Sequence, residues 1–361
     1  TIAPGPMLCS DLPWNLAAAM RSSIFYLAPV LHKTGRVTMP MPGGCRLGPR
    51  LIDIHLEGLA RMGARITWQP QTVTLTRNGV LHGADYTLRI PSVGATETLL
   101  MAAAGAQGAS VLRGAACEPE VKDLADFLNR CGADIHGAGT PIIRVRGTPE
   151  LGGCAFTPLP DRIIGATLAC AAASAGGRVE LPNARADEMQ DILQLLERAG
   201  CRVERQNGVC VQAEGRLQGV GKICTGAWPG FATDNAPLLA AAMLRAEGTT
   251  EICDTLFEKR FACAAQFAAM GADVQVKGRT LCIAGRQTLH GAECYAPDLR
   301  GGAALVLAAL GAQNELSTVW DAGHIDRGYP CLAAMLRKLG ANVRTKTVQG
   351  RKIDTQPLIY L

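Results

Sequence analysis

The residue best placed for chemistry is Cys45. It lies in the run Met39-Pro-Met-Pro-Gly-Gly-Cys-Arg-Leu-Gly-Pro-Arg50, where three glycines and three prolines in twelve residues exclude regular helix or strand through most of the stretch. The thiol therefore sits on a loop tip. Arg46 and Arg50 flank it, and positive charge nearby lowers a thiol's pKa and raises its thiolate fraction at neutral pH. The competing reading is a small apolar residue filling a turn, the ordinary fate of a cysteine in a chain with fourteen of them. The Gly-Gly and Arg neighbours give the two readings comparable weight.

The rest of the composition narrows the class of chemistry. A chain of 361 residues exceeds one ordinary core, so two domains are expected. With 48% hydrophobic but only 4% aromatic residues, the core is built of Ala, Leu, Val and Ile, which suits helices packed closely on sheets. A net charge of +5 without any Lys/Arg run favours small anions as ligands over a nucleic-acid surface. The cysteines form no C-x-x-C pair and the six histidines fall at no metal-ligand spacing, so reduced thiols and no metal or other cofactor are expected. No leader-like start and no apolar run of about twenty residues occurs, and the expectation is a soluble, cytoplasmic protein without a membrane partner.

The elements that must position such a loop recur along the chain. A helix, a glycine and a short strand follow one another around Gly63, Gly132, Gly200, Gly271 and Gly340, at intervals of 69, 68, 71 and 69 residues. Each glycine is suited to the left-handed position after a helix. Five copies so evenly spaced are supersecondary modules rather than solenoid units. Midway in each period lies a second helix rich in small residues, expected over 20–31, 94–106, 162–175, 234–246 and 300–310. Each is followed by a strand, expected over 36–39, 109–112, 178–181, 249–252 and 315–319. Alternating stretches such as Thr72–Thr76 and Tyr86–Ile90, separated by Asn78-Gly79, read as antiparallel strands joined by hairpins. Each module thus has about four strands and two helices. One period before Gly63 lies ahead of Thr1, so the first module is expected to be incomplete, one of six.

The cysteine loop Pro42–Arg50 resembles that of the UDP-N-acetylglucosamine enolpyruvyl transferase family. Further motifs follow in the family's order: Ala19–Ile24, Pro91–Thr96, Glu118–Glu120, Leu159–Arg162, Pro229–Asp234, Phe257–Phe261, Asp298–Arg300 and His324–Tyr329. The resemblance implies an α/β fold of two domains, an inside-out α/β barrel of repeated βαβαββ modules, here 1–159 and 160–361. It also implies a reaction, transfer of the enolpyruvyl group of phosphoenolpyruvate to the 3′-hydroxyl of UDP-N-acetylglucosamine, with release of phosphate. This needs an acid for the vinyl carbon, a base, and cations for carboxylate and phosphates.

On the same resemblance, Cys45 is the general acid and covalent nucleophile and the site of fosfomycin alkylation. Asp234 is the base, though a helix N-cap is its alternative. Arg50 and Arg327 face phosphate, Arg260 and Arg300 the pyruvyl carboxylate, and Arg21 the nucleotide sugar. Leu51, Ile52, Asp53 and Ile54, with Ser92, Val93 and Gly94, surround the uridine and diphosphate; Leu256 lies near the sugar, and Asp298 belongs to the binding set. Glu118 and Glu120 are expected only to cap a helix. The family's N-terminal Lys-Asn pair has no counterpart here, since no lysine precedes Lys33. Poor activity of the chain as it stands is therefore expected, unless that segment comes from elsewhere. The partners implied are the two small-molecule substrates, with no nucleic acid, and the protein is expected to be monomeric and bacterial. The sister enzyme acting on shikimate phosphate and a non-catalytic UDP-sugar-binding protein are the alternatives.

Overall fold

The structure, a computed structural model, describes residues 2, 9–44, 47–48, 52–285, 288–312 and 315–346, and the backbone alone of 347–348 and 356–360. It divides into two compact units, 1–45 with 49–159, and 46–48 with 160–361.

The first unit carries two sheets. In one, Thr72–Arg77 lies between Arg36–Pro40 and Ala64–Gln69, antiparallel to both. In the other, Asp85–Thr87 pairs in parallel with Ala109–Arg113, and Ile142–Arg146 and Asp134–His136 follow antiparallel. The helix Val93–Ala104 makes the crossover between the two parallel strands. It is buried on nearly all sides, from Ala95 to Ala104, because it is covered by the sheet and by the helices Leu27–Thr34, Asp53–Arg61 and Pro119–Arg130. Pro119–Arg130 shows the opposite pattern. It buries Val121, Ala125 and Leu128 on one stripe, while Lys122 and Asp126 pair at 2.7 Å on its exposed side.

The second unit repeats the plan. Gly177–Leu181, Val209–Ala213 and Arg202–Glu204 form an antiparallel sheet. Two four-stranded sheets each open with a parallel pair, Gly221–Cys224 with Thr249–Cys253 and Glu293–Tyr295 with Thr318–Trp320. The helices Arg162–Ala175, Ala236–Met243 and Leu299–Leu310 pack on one another in the middle. Most of their alanines and all of their glycines are buried, and small side chains of this kind allow close packing. The sheets lie outside, one face to these helices and one to solvent, as the alternating burial of Val209–Ala213 shows. This is an inside-out arrangement of βαβαββ modules. All five repeat glycines have positive φ, between 87° and 103°.

Several expectations are corrected. Asn78-Gly79 is no hairpin, because Thr72–Arg77 already has a partner on each edge and the chain passes on to the next sheet. The hairpin lies at Pro70-Gln71, between Ala64–Gln69 and Thr72–Arg77. The strand expected to reach Ile90 ends at Thr87. The helix expected over 20–31 is a 3-10 turn, Arg21–Tyr26, followed by Leu27–Thr34, and that over 234–246 is Thr233–Asn235 followed by Ala236–Met243. Pro29 and Pro237 cause both breaks, since a prolyl nitrogen has no hydrogen and is tolerated only in a first turn. The strand expected from Glu315 begins at Thr318, and the Glu315 carboxylate accepts from the Gly291 N–H at 2.6 Å. Among the described residues, two sheets have three strands rather than four. In the first, residues 10–12 flank Arg36–Pro40 through one parallel bridge, Asp11 to Thr38, too short for a strand.

Close backbone approach requires glycine at several positions, Gly147 among them. A Cβ on Gly147 would lie 1.9 Å from the Ala106 carbonyl oxygen, whereas Gly153 has open space around it. Gly147→Ala is expected to cost about 2–3 kcal/mol of stability and Gly153→Ala less than about 0.5 kcal/mol, measured by urea unfolding.

Candidate active site

In the second unit the crossover geometry places the first turns of the central helices and the carboxyl end of a parallel strand together. Asp161 caps Arg162–Ala175, its Oδ1 accepting from the N–H groups of Ile163 and Ile164 at 2.8 and 2.9 Å. Asp298 caps Leu299–Leu310 in the same way, toward Arg300 and Gly301 at 3.0 and 2.9 Å. Each cap is followed within two residues by an arginine, Arg162 or Arg300. The third helix, Ala236–Met243, is entered through the turn that holds Asp234.

Asp234 does not cap that helix. Its Oδ1 accepts from Arg260 Nη2 at 3.1 Å and its Oδ2 from Arg300 Nε at 3.2 Å, with Arg300 Nη2 also at 3.2 Å. The carboxylate keeps 38% of its surface exposed, against 2% for Arg260 and 11% for Arg300. Burial alone would raise its pKa, but the charges of Arg300, Arg260 and Arg162 outweigh burial and hold it below the usual carboxylate range. For Arg300 burial pulls the other way, and Asp234 and Tyr329 overcome it to stabilise the cation. Arg300 lies over the Tyr329 ring at 5.3 Å, and the Tyr329 hydroxyl shares a 2.8 Å hydrogen bond with Thr167. Arg260 lies over Phe257 at 4.8 Å and Arg162 over Trp228 at 5.2 Å.

The loop that carries Asp234 is fastened from a neighbouring module. Asp191 Oδ2, on the helix Gln190–Arg198, accepts from the Ala232 N–H at 2.9 Å and from Asn235 Nδ2 at 3.0 Å. The result is a carboxylate with one open side, backed by cations that have been withdrawn from water. Such a group is anionic at neutral pH, and its proton affinity rises when something else satisfies its arginines.

In the first unit Arg21, His55 and Gly94 come together. His55 is 5% exposed, and burial, with the nearby charge of Arg21, lowers its pKa to about 4. A Cβ on Gly94 would approach its Nε2 to 3.2 Å, so the start of the helix Val93–Ala104 abuts the ring. Ser92 caps this helix through a 3.3 Å bond from the Ala95 N–H. Asp53 opens the helix Asp53–Arg61 and pairs with Arg89, which also reaches Glu57 at 3.3 Å.

Of the residues singled out from sequence, Asp234, Arg260 and Arg300 are thus joined directly. Arg21 and Gly94 both approach His55, and Ser92 and Val93 form the same helix entry. Ile52 and Ile54 point into the core, at 2% and 5% exposure, which leaves their backbone as the part able to meet a ligand. Asp298 acts here as a helix cap, and Leu256 is 53% exposed. Arg327 is exposed at the end of the short helix Gly323–Asp326. Glu118 stands at the N-cap position of Pro119–Arg130 without a side-chain cap bond, which corrects its expected role. Cys45, Arg50 and Leu51 lie outside the described residues. Sequence reasoning gave no role to Arg162, Thr167, Asp191, Thr233, Asp254 or Tyr329. For Arg162, Thr233 and Tyr329 a signal existed, since each belongs to one of the family motifs in the sequence. Among the described residues no cluster of His, Cys, Asp and Glu could hold a metal, and no helix is long and apolar enough to cross a membrane.

Two measurements check these electrostatics. Asp234→Asn leaves two largely buried arginines short of a counter-charge, and a loss of about 1–3 kcal/mol at pH 7 is expected after allowance for the exposure of the carboxylate. Because the folded pKa is depressed, the stabilisation is present above the unfolded value of about 3.9 and is lost as pH falls through the folded one. Urea unfolding of wild type and variant should therefore converge in acid. His55 behaves with the same sign at a higher pH. Its folded pKa lies below the unfolded value, so between about 6.5 and about 4 the unfolded chain binds the extra proton and stability falls by up to about 3 kcal/mol. His55→Gln should flatten that part of the stability profile.

Comparison with known proteins follows the same lines. Residues 7–336 match the family described as EPSP synthase (3-phosphoshikimate 1-carboxyvinyltransferase). The UDP-N-acetylglucosamine 1-carboxyvinyltransferase of Solidesulfovibrio magneticus is 40% identical over 348 residues, 96% of this chain and 83% of that protein. UDP-N-acetylglucosamine 1-carboxyvinyltransferase 1 of Caldanaerobacter subterraneus subsp. tengcongensis is 42% identical over 93% of this chain and 80% of its own length. Among solved structures, the enolpyruvyl transferase NikO from Streptomyces tendae superposes with a TM-score of 0.82 at 26% identity, covering 94% of this chain and 81% of that one. EPSP synthase from Acinetobacter baumannii shares the fold, with a TM-score of 0.62 at 20% identity over 88% of this chain and 76% of its own. The modules, the arginine-held carboxylate and these relatives lead to one conclusion: the chain belongs to the enolpyruvyl transferase family, with the UDP-N-acetylglucosamine 1-carboxyvinyltransferases.

Proposed function

We propose that the protein transfers the enolpyruvyl group of phosphoenolpyruvate to the 3′-hydroxyl of UDP-N-acetylglucosamine and releases phosphate, the first committed step of peptidoglycan synthesis, in the bacterial cytoplasm and as a monomer. The observation that carries the reading is the Asp234 carboxylate held by Arg260 and Arg300, in a chain 40% identical to a protein of that name over 96% of its length.

In this reading Arg260 and Arg300 receive the carboxylate of phosphoenolpyruvate, and Arg50 and Arg327 its phosphate. A bound carboxylate competes with Asp234 for the guanidinium hydrogens. Asp234 thereby loses counter-charge, its basicity rises, and it becomes able to take the proton of the sugar hydroxyl as the hydroxyl oxygen bonds to the vinyl carbon bearing phosphate. Cys45 supplies the proton that converts the methylene to a methyl group. The tetrahedral adduct then loses a methyl proton and inorganic phosphate, which restores the double bond on the new ether. Arg21 and the helix entry at Ser92–Gly94 hold the nucleotide sugar, where free backbone N–H groups favour its diphosphate. The sister reaction on shikimate phosphate has weaker support, since its solved representative is 20% identical against 40–42% for the UDP-sugar relatives.

Phosphate release from phosphoenolpyruvate should depend strictly on UDP-N-acetylglucosamine. Asp234→Asn and Cys45→Ser should each lower kcat by about 10²-fold or more, and Arg300→Lys, which loses the two-point fork, should raise the KM for phosphoenolpyruvate by about 10-fold or more. Release that ignores the nucleotide sugar, or that responds instead to shikimate phosphate, would overturn the assignment.

A further inference from the structure

Beneath the Asp234 cluster lies a second carboxylate that the chemistry above leaves unused. Asp254 follows the strand Thr249–Cys253 and is 0% exposed. Its Oδ1 accepts from the N–H groups of Leu256 and Phe257 at 2.9 and 2.6 Å. Its Oδ2 accepts a hydrogen bond from the Thr233 hydroxyl and lies 3.8 Å from Arg260 Nε. The Thr233 hydroxyl has only one hydrogen, and Asp254 takes it. A lone pair is therefore turned toward Arg260 Nε, which donates to it at 2.9 Å. With Nε occupied in this way, Nη2 is left to donate to Asp234 Oδ1 at 3.1 Å.

We propose that Asp254 is a positioning residue which, through Thr233, fixes the Arg260 guanidinium and thereby sets the proton affinity of Asp234. The proposal deepens the reading above and rests on it for its catalytic meaning. The groups facing Asp234 are Arg260, Arg300 and Arg162, with Tyr329 behind Arg300. Asp161 and Asp298 cap their helices through Oδ1, and Asp161 also helps stabilise the Arg300 cation. Asp254 is thus the buried anion connected to Asp234 through a single hydroxyl and a single guanidinium.

The chain of bonds gives two substitutions opposite signs. Asp254→Asn removes a negative charge and leaves Arg260 more fully to Asp234, so the proton affinity of Asp234 falls. Thr233→Val removes the relay, and the nearest remaining acceptor for Arg260 Nε is Asp254, so the guanidinium is drawn off Asp234 and its proton affinity rises. The test follows the Asp234 carboxyl carbon by NMR in aspartate-labelled protein without substrate, and the acid limb of kcat with both substrates. Asp254→Asn should move the midpoint down and Thr233→Val up, each by about one pH unit, the size of one neighbouring charge at this depth. Thr233→Ser, which keeps the hydroxyl, should restore the wild-type midpoint. Coincident midpoints in all four proteins, or displacements of the same sign, overturn the proposal. If Asp254→Asn does not fold, the Thr233 pair decides alone. Should a version extended upstream to carry the family's Lys-Asn segment release no phosphate while the NMR midpoints separate as expected, the transferase reading fails and the positioning role of Asp254 stands.

Discussion

The second unit is organised by the cost of taking guanidinium groups out of water. Arg260 is 2% exposed and Arg300 11%, and each would be untenable there without an anion. Asp234 meets both, and almost every neighbouring choice keeps the three in register. Two aspartates hold helix starts, Asp191 ties the Asp234 loop to another module, and Phe257 and Tyr329 offer ring faces to the arginines. Remove the ion cluster and these contacts have no common purpose.

The modular fold supplies this cluster by repetition. A parallel βαβ crossover always delivers the start of its helix beside the carboxyl ends of its strands, and the second unit brings three central helices together. Small side chains favour that packing: Ala166, Ala240 and Ala304 are all fully buried. The first unit uses the same device with another chemistry, a neutral imidazole packed beneath a helix entry. His55 has its proton expelled by burial and by Arg21, and the ring serves as a polar surface without charge at pH 7.

Much of this was legible in the sequence. The glycine repeat defines the module, and the motifs around Asp234, Arg260 and Arg300 stand out in the sequence. What stayed hidden was pairing. Nothing local in Thr72–Arg77 tells that both its edges are filled, and so Asn78-Gly79 read as a hairpin. Pro29 and Pro237 did carry a readable signal, for a prolyl nitrogen dictates where a helix can begin. Asp254 and Asp191 lie in none of those motifs, and for Thr233 the motif gives a place but no role. Each is an ordinary polar residue whose importance comes only from partners far along the chain, Asp191 to Asn235 across 44 residues and Thr233 to Asp254 across 21.

The outward-facing sheets carry a consequence of their own. Val209–Ala213 alternates buried and half-exposed side chains because its inner face meets the helices and its outer face meets solvent. Since the sheets form the rind of each module and the helices its pith, about half of every strand is free of any duty to the interior. Labels, tags or immobilising groups attached at outward positions such as Cys210 or Gln212 would leave the helices, and the carboxylate they present, untouched.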